Sequence, residues 1–160
     1  MSASRQRAYS ADTSALIDGL QRYYPEEHFP ALWIRVDELI SDGRLYISEE
    51  VWEEVQKKDA VAKAWCEPRK DSLIVPTDPA VAQEVQRVLI GHERLVMNLK
   101  GRNRADPFVI AVASLRGAIV VTGEGSDGTA SRPKIPYVCQ EMGIECVRLL
   151  DVIRFEGWSF

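Results

Sequence analysis

The chain has 160 residues, 46% of them apolar and 28% charged, with a formal net charge of -4 at pH 7. That length holds one domain with a real core rather than two, and no apolar run approaches the ~20 residues that span a bilayer. The acidic balance excludes a protein that coats nucleic acid by bulk charge. Cys66, Cys139 and Cys146 form neither a C-x-x-C pair nor a His-bearing zinc pattern, and read as free thiols in a reducing compartment. With no apolar segment behind the first arginines, no secretory signal is expected and a cytoplasmic location follows. Two histidines, His28 and His92, give a Ser/His/Asp or Cys/His triad little to be built from, so carboxylates must carry any chemistry.

In chain order, residues 7–11 predict a first strand, and the apolar spacing of 13–24 predicts a helix that Pro25 ends. Residues 30–43 place Leu32, Val36, Leu39 and Ile40 on one helical face closed by Gly43. Residues 44–48 follow as a second strand, and Ser48 caps the next helix, "EEVWEEVQKK". Residues 71–78 read as extended and 79–99 as a long helix. Residues 106–117 are apolar almost all round, as befits a helix buried on a sheet. Residues 118–122 are its partner strand, 123–134 a glycine-rich loop, 135–143 a short helix and 144–150 a last strand, with 1–6 and 156–160 as flexible or peripheral tails. Strands alternating with helices predict a single α/β domain over 1–160: a mostly parallel central sheet of four to five strands covered by helices on both faces.

The strand at 118–122 runs into Gly123, Glu124, Gly125 and Gly128, which spell G-x-G-x-x-G. A dinucleotide fingerprint of this form opens a helix directly. Here the polar "TASRPKIP", with Pro133 and Pro136, follows the third glycine instead, and no P-loop pattern occurs in the chain. Ligand sites in open α/β sheets gather beyond the carboxyl ends of the strands, so the residue singled out is the carboxylate between the glycines, Glu124.

Asp12 ends the first strand at that same edge, with Ser14 placed to orient it; helix capping and catalysis both remain open for it. Asp106 precedes Pro107 and is equally suited to start a helix. A helix that runs back before a parallel strand must begin at the carboxyl edge, which brings Asp106 beside Asp12 and Glu124. The helix after the second strand offers Glu49, Glu50, Glu53 and Glu54. Glu54 flanks the apolar stripe set by Val51 and Val55, whereas Glu53 points away, so Glu54 is the fourth acid. Four carboxylates in one cleft repel unless a cation compensates, and hard oxygen ligands suit Mg²⁺ or Mn²⁺. Such a cation lowers the pKa of a bound water and stabilises charge on a phosphodiester. Lys100, Arg102 and Arg104 lie just before Asp106, with Arg132 and Lys134 just beyond Glu124; they are either phosphate contacts for RNA or solvated loop charges.

The stretches "SADTSALIDGL", "ISEEVWEEV", "ADPFVIAVA" and "VVTGEG", in this order between residue 8 and about 150, resemble the four acidic motifs of the PIN-domain ribonucleases, VapC-like toxins among them. The region "YYP…FPALW…GRLYIS" is similar to a PIN-like subfamily. The resemblance implies a Mg²⁺- or Mn²⁺-dependent endoribonuclease, the toxin of a toxin–antitoxin pair, held inactive by a partner that fills the acidic cleft, and dimerisation is common in such proteins. It implies Asp12, Glu54, Asp106 and Glu124 as metal-site acids, with Ser14 and Thr122 as supporting or substrate-contacting hydroxyls. The family more commonly carries Asp where this chain has Glu124. Two rival readings are a PIN-like module that binds RNA or protein without cutting, and a phosphatase with Asp12 as nucleophile, for which "DTS" lacks the second Asp of a D-x-D pattern.

Overall fold

In the computed structural model, which describes residues 6–92, 105–123 and 134–160, five short strands share one sheet: β1 (Tyr9–Ala11), β2 (Leu45–Ser48), β3 (Ile74–Val75), β4 (Ile119–Val121) and β5 (Cys146–Val147). Their order is β3-β2-β1-β4-β5 and every pairing is parallel. Ser10 stands opposite Tyr46 on one side and Val120 on the other. Parallel neighbours cannot be joined by a tight turn, so each crossover is helical. Helices α1 (Thr13–Ile17) and α2 (Pro30–Ser41) link β1 to β2, and α3 (Glu49–Lys58), α4 (Ala60–Cys66) and α5 (Lys70–Leu73) link β2 to β3. Helices α6 (Pro79–Ile90) and α7 (Asp106–Arg116) precede β4, α8 (Ile135–Met142) precedes β5, and α9 (Leu149–Glu156) follows it.

Side chains on a strand alternate between faces, and here both faces are covered. Ser10 looks toward α7, where its hydroxyl donates to the Val109 carbonyl at 2.9 Å. Tyr9, on the opposite face, donates to Glu156 of α9 at 2.6 Å. The three inner strands, β2, β1 and β4, read as continuous buried runs because neither of their faces meets water. Ser48 caps α3 by accepting from the Val51 amide at 3.1 Å, and Asp78 caps α6 by accepting from Val81 at 2.9 Å. Gly117, with φ +64°, ends α7 in the left-handed conformation that a Cβ disfavours. The α/β architecture and parallel sheet expected from the sequence are therefore present, and they are consistent with a PIN-like domain.

Several segments depart from the expectation. Of the stretch predicted as extended over 71–78, residues 71–73 belong to α5 and only Ile74–Val75 are strand. The helix predicted over 13–24 is α-helical only to Ile17; Asp18–Tyr23 form a π-helical turn, with the Tyr24 amide reaching the Gly19 carbonyl at 2.9 Å. A six-residue change of pitch is too short to alter apolar periodicity. The strand predicted over 144–150 is reduced to Cys146–Val147, and the chain turns at Arg148 into α9. Leu149, Val152, Ile153 and Glu156 fall at helical spacing, a signal masked by the alternation just before it. The end of the chain is not a loose tail either: Glu156 is largely buried among Tyr9 and Arg44, and Trp158 packs on the core. The helix predicted over 79–99 ends earlier than expected: α6 stops at Ile90, Gly91 caps it and His92 is in a turn, while 93–99 lie outside the described residues. Of the loop at 123–134 only Gly123 and Lys134 are described. All three cysteines are free, and burial pushes the Cys66 thiol up to about 12. No helix among the described residues is long and apolar enough to cross a membrane.

Candidate active site

From β1 the chain moves outward to β2 and β3, then crosses back to β4 on the other side of β1. Two adjacent strands whose connections leave in opposite directions open a crevice at their carboxyl ends. Asp12 leaves β1 at this point, its amide still donating to the Val121 carbonyl at 2.9 Å, and Thr122 and Gly123 leave β4 beside it. Asp12 is 3% exposed. Its Oδ1 accepts from the Ser14 hydroxyl at 2.8 Å and the Ala15 amide at 2.7 Å, while Oδ2 accepts from the Thr122 hydroxyl. Capping and site-lining are thus both true of Asp12: it caps α1 with one oxygen and keeps most of its remaining acceptor capacity on the other.

Burial lifts the Asp12 carboxyl from the ordinary 3.8 to about 6, against the lowering influence of Thr122, Ala15 and Ser14, and the charge of Glu54 adds to the rise. Ser14 ties two strand ends together, since its oxygen also accepts from the Gly123 amide at 2.9 Å. The approach is so close that a Cβ on Gly123 would stand 2.6 Å from Asp18 Oδ2 and 3.1 Å from the Ser14 carbonyl oxygen. The first glycine of the G-x-G stretch therefore serves strand-to-helix proximity rather than a pyrophosphate.

Glu54 arrives from the second turn of α3. Its Oε1 accepts from the Thr13 hydroxyl at 2.8 Å and lies 3.4 Å from the Lys58 ammonium, and its Oε2 accepts from the Ala105 amide at 3.3 Å. Glu53 is exposed, as its helical position requires. Asp106 is 6% exposed and is the first residue of α7 rather than its cap; Ala105 holds the cap position and makes no side-chain capping bond. Asp12, Glu54 and Asp106 line one cleft of about 210 Å³, together with Ser14, Asp18 and Lys58. Asp18, at the head of the π-helical turn, was not anticipated; its only sequence signal was an acid six residues after Asp12, out of phase with an α-helical face.

Lys134 is exposed and sits at the cap of α8, a crossover helix that starts from this same edge. Glu124, Lys100, Arg102, Arg104 and Arg132 lie outside the described residues. Carboxylate oxygens are the donors that hard divalent cations such as Mg²⁺ and Mn²⁺ accept, so the cleft fits such an ion in donor type. Among the described residues, no group of three or more His, Cys, Asp or Glu is arranged to hold one.

The family model described as "Domain of unknown function (DUF4411)" matches residues 9–160, and the chain belongs to that family. Among curated proteins none matches it.

Proposed function

We propose that this protein is a divalent-metal-dependent endoribonuclease of the PIN type, acting as the toxin of a toxin–antitoxin pair in the cytoplasm. The observation that carries the reading is the meeting of Asp12, Glu54 and Asp106 in one cleft at the switch point of the sheet, with Asp12 buried among neutral donors. Asp12, Glu54 and Asp106 are the residues that would hold Mg²⁺ or Mn²⁺, with Glu124 as the fourth acid. The ion would supply a water of lowered pKa and charge stabilisation at the scissile phosphate.

The chain's own groups do the rest. Ser14 and Thr122 fix the plane of the Asp12 carboxylate, and Thr13 with the Ala105 amide fixes Glu54. Asp106 stands at the amino end of α7, where the helix dipole favours negative charge. Lys134, and the basic residues Lys100, Arg102, Arg104 and Arg132, would bind phosphates flanking the scissile one. A cognate antitoxin would act by covering the cleft, and a homodimer is part of the same proposal.

The second reading, a PIN-like module that binds without cutting, is favoured by the lack of a three-carboxylate metal group among the described residues. Cleavage of end-labelled RNA by purified protein with Mn²⁺ or Mg²⁺, against EDTA and against Asp106→Asn purified identically, decides between them. Metal-dependent cutting that the substitution abolishes supports the nuclease. Equal background in both proteins, across several RNAs and with any co-purified partner removed, leaves the binding module.

A further inference from the structure

A second cavity of about 210 Å³ adjoins the acid cleft. Among the described residues its walls are Tyr23, Tyr24, Leu149 and Leu150, its charged groups are Arg148 and Asp18, and it is backed by the Thr122–Gly123 exit of β4. Asp18 lines both cavities, so the two share a wall, and the same Thr122 that donates to Asp12 closes the back of the second. We propose that this cavity is a nucleobase subsite, taking the base next to the scissile phosphate; the inference rests on the ribonuclease reading above.

The occupant follows from the lining. The walls are mostly apolar and aromatic, as suits the flat face of a base, while Arg148 and Asp18 offer a donor fork and an acceptor to its polar edge. Tyr24 is held in place: its carbonyl accepts from the Trp33 indole at 2.7 Å and its ring meets Phe29 edge-on at 5.4 Å. Tyr23 is 53% exposed and Leu150 44%, large apolar groups at the rim that the core does not use. The π-helical turn Asp18–Tyr23 delivers both the shared wall and the aromatic rim, the kind of local irregularity that recurs at functional sites. Gly19 allows this by admitting Leu149 and Trp33, whose atoms would lie 3.1 and 3.3 Å from a Cβ there.

The test separates this subsite from the nuclease reading. On an Asp106→Asn background with Mn²⁺, where RNA is not cut, a fluorescein-labelled oligoribonucleotide reports binding by anisotropy. The same RNA carrying 2-aminopurine at successive positions reports stacking by quenching. We expect quenching at one position, about tenfold weaker binding with loss of that quenching in Tyr23→Ala and in Leu150→Ala, and both properties retained in Tyr23→Phe. Both rim residues are exposed, and thermal melts confirm that each variant folds. RNA bound with no position quenched, or bound equally tightly by both alanine variants, overturns the subsite while cleavage by the wild type stands. Absence of RNA binding, with the cavity instead taking an aromatic side chain of a partner peptide, overturns the subsite and the nuclease reading together.

Discussion

The two edges of the sheet bury carboxylates in opposite ways. At the amino edge, Glu156 accepts two bonds from the Arg44 guanidinium, at 2.9 and 2.7 Å, and one from the Tyr9 hydroxyl at 2.6 Å. Burial, and then the bond to Glu156, push the Tyr9 phenol above its ordinary range. At the carboxyl edge, Asp12 is buried at least as deeply, but its partners are two hydroxyls and an amide, and Lys58 reaches Glu54 instead. One edge meets its negative charge with a cation from its own sequence. At the other, Asp12 has neutral donors, which orient a carboxylate without cancelling its charge, and the cation of that cleft, Lys58, pairs with Glu54. A fixed clamp and a site that draws in an outside cation differ in just this respect.

Breaking the clamp is expected to have the largest effect. Arg44 and Glu156 side chains are 16% and 11% exposed, and removing one partner of a covered pair strands the other's charge. Arg44→Met should lower the unfolding free energy by about 3 kcal/mol in urea titrations. Arg44→Met combined with Glu156→Leu should recover most of that loss, because no charge is left stranded. A single variant within about 1 kcal/mol of the wild type would show that the amino edge does not depend on the pair.

Asp12→Asn should move the other way. The folded Asp12 titrates at about 6 against 3.8 for an ordinary carboxyl, so between these values the folded state binds more protons than the unfolded one. Its contribution to stability falls as pH rises from about 4 to about 6 and stays low above that. The gap corresponds to on the order of 3 kcal/mol. In EDTA, Asp12→Asn should match the wild type near pH 4 and exceed it at pH 7 by up to that amount, since the Thr122 hydroxyl can turn round and accept from the new amide. Urea unfolding across pH 4–7 measures the difference, and a difference that does not change with pH would mean that Asp12 is not a buried charge.

How much of this was legible in sequence follows from what each residue depends on. Asp12 and Asp106 could be brought together because each sits at a strand or helix end, Glu54 because it lies in the second turn of a helix that starts after β2, and parallel topology sends those ends to one edge. Glu156 could not be paired with Arg44, because the two are 112 residues apart and nothing local to either names the other. Helix α9 was lost because an edge strand of two residues carries almost no pattern, and its alternation was extended into the helix that follows. Asp18 and Tyr23 were lost for a different reason: a π-helical turn rotates them away from the face that 3.6-residue periodicity assigns. Glu124 and four of the basic positions lie outside the described residues, so the sequence remains the whole source for them.

Gly123→Ala probes how tightly the carboxyl edge is drawn. Its Cβ would press on the Asp18 carboxylate, which can swing aside, and on the Ser14 carbonyl, which is backbone and cannot move without α1. Overpacking of this kind should destabilise by about 1–2 kcal/mol. It should also lengthen the bond from the Gly123 amide to the Ser14 hydroxyl, loosening Asp12. Asp18→Ala added to Gly123→Ala should restore part of the stability and none of that bond, so unfolding and RNA cleavage should separate in the double variant.

The smallest effect on stability sharpens the comparison most. The Lys58 side chain is 43% exposed and pairs with Glu54 four residues earlier, an arrangement worth about 0.5 kcal/mol or less. Lys58→Met should therefore leave the unfolding midpoint almost unchanged. Yet its ammonium lies 3.4 Å from an oxygen that a divalent cation would use, so in the native cleft it competes for that oxygen and repels the ion. Mn²⁺ should bind Lys58→Met about threefold more tightly, measured by electron paramagnetic resonance or calorimetry at low salt, with the gain shrinking as salt screens the exposed charge. The corresponding change at the amino edge, Arg44→Met, removes a cation that nothing replaces and should create no Mn²⁺ affinity. If both variants bind Mn²⁺ alike, the two edges are not different in kind, and the acid cleft is another buried network rather than a site for an outside cation.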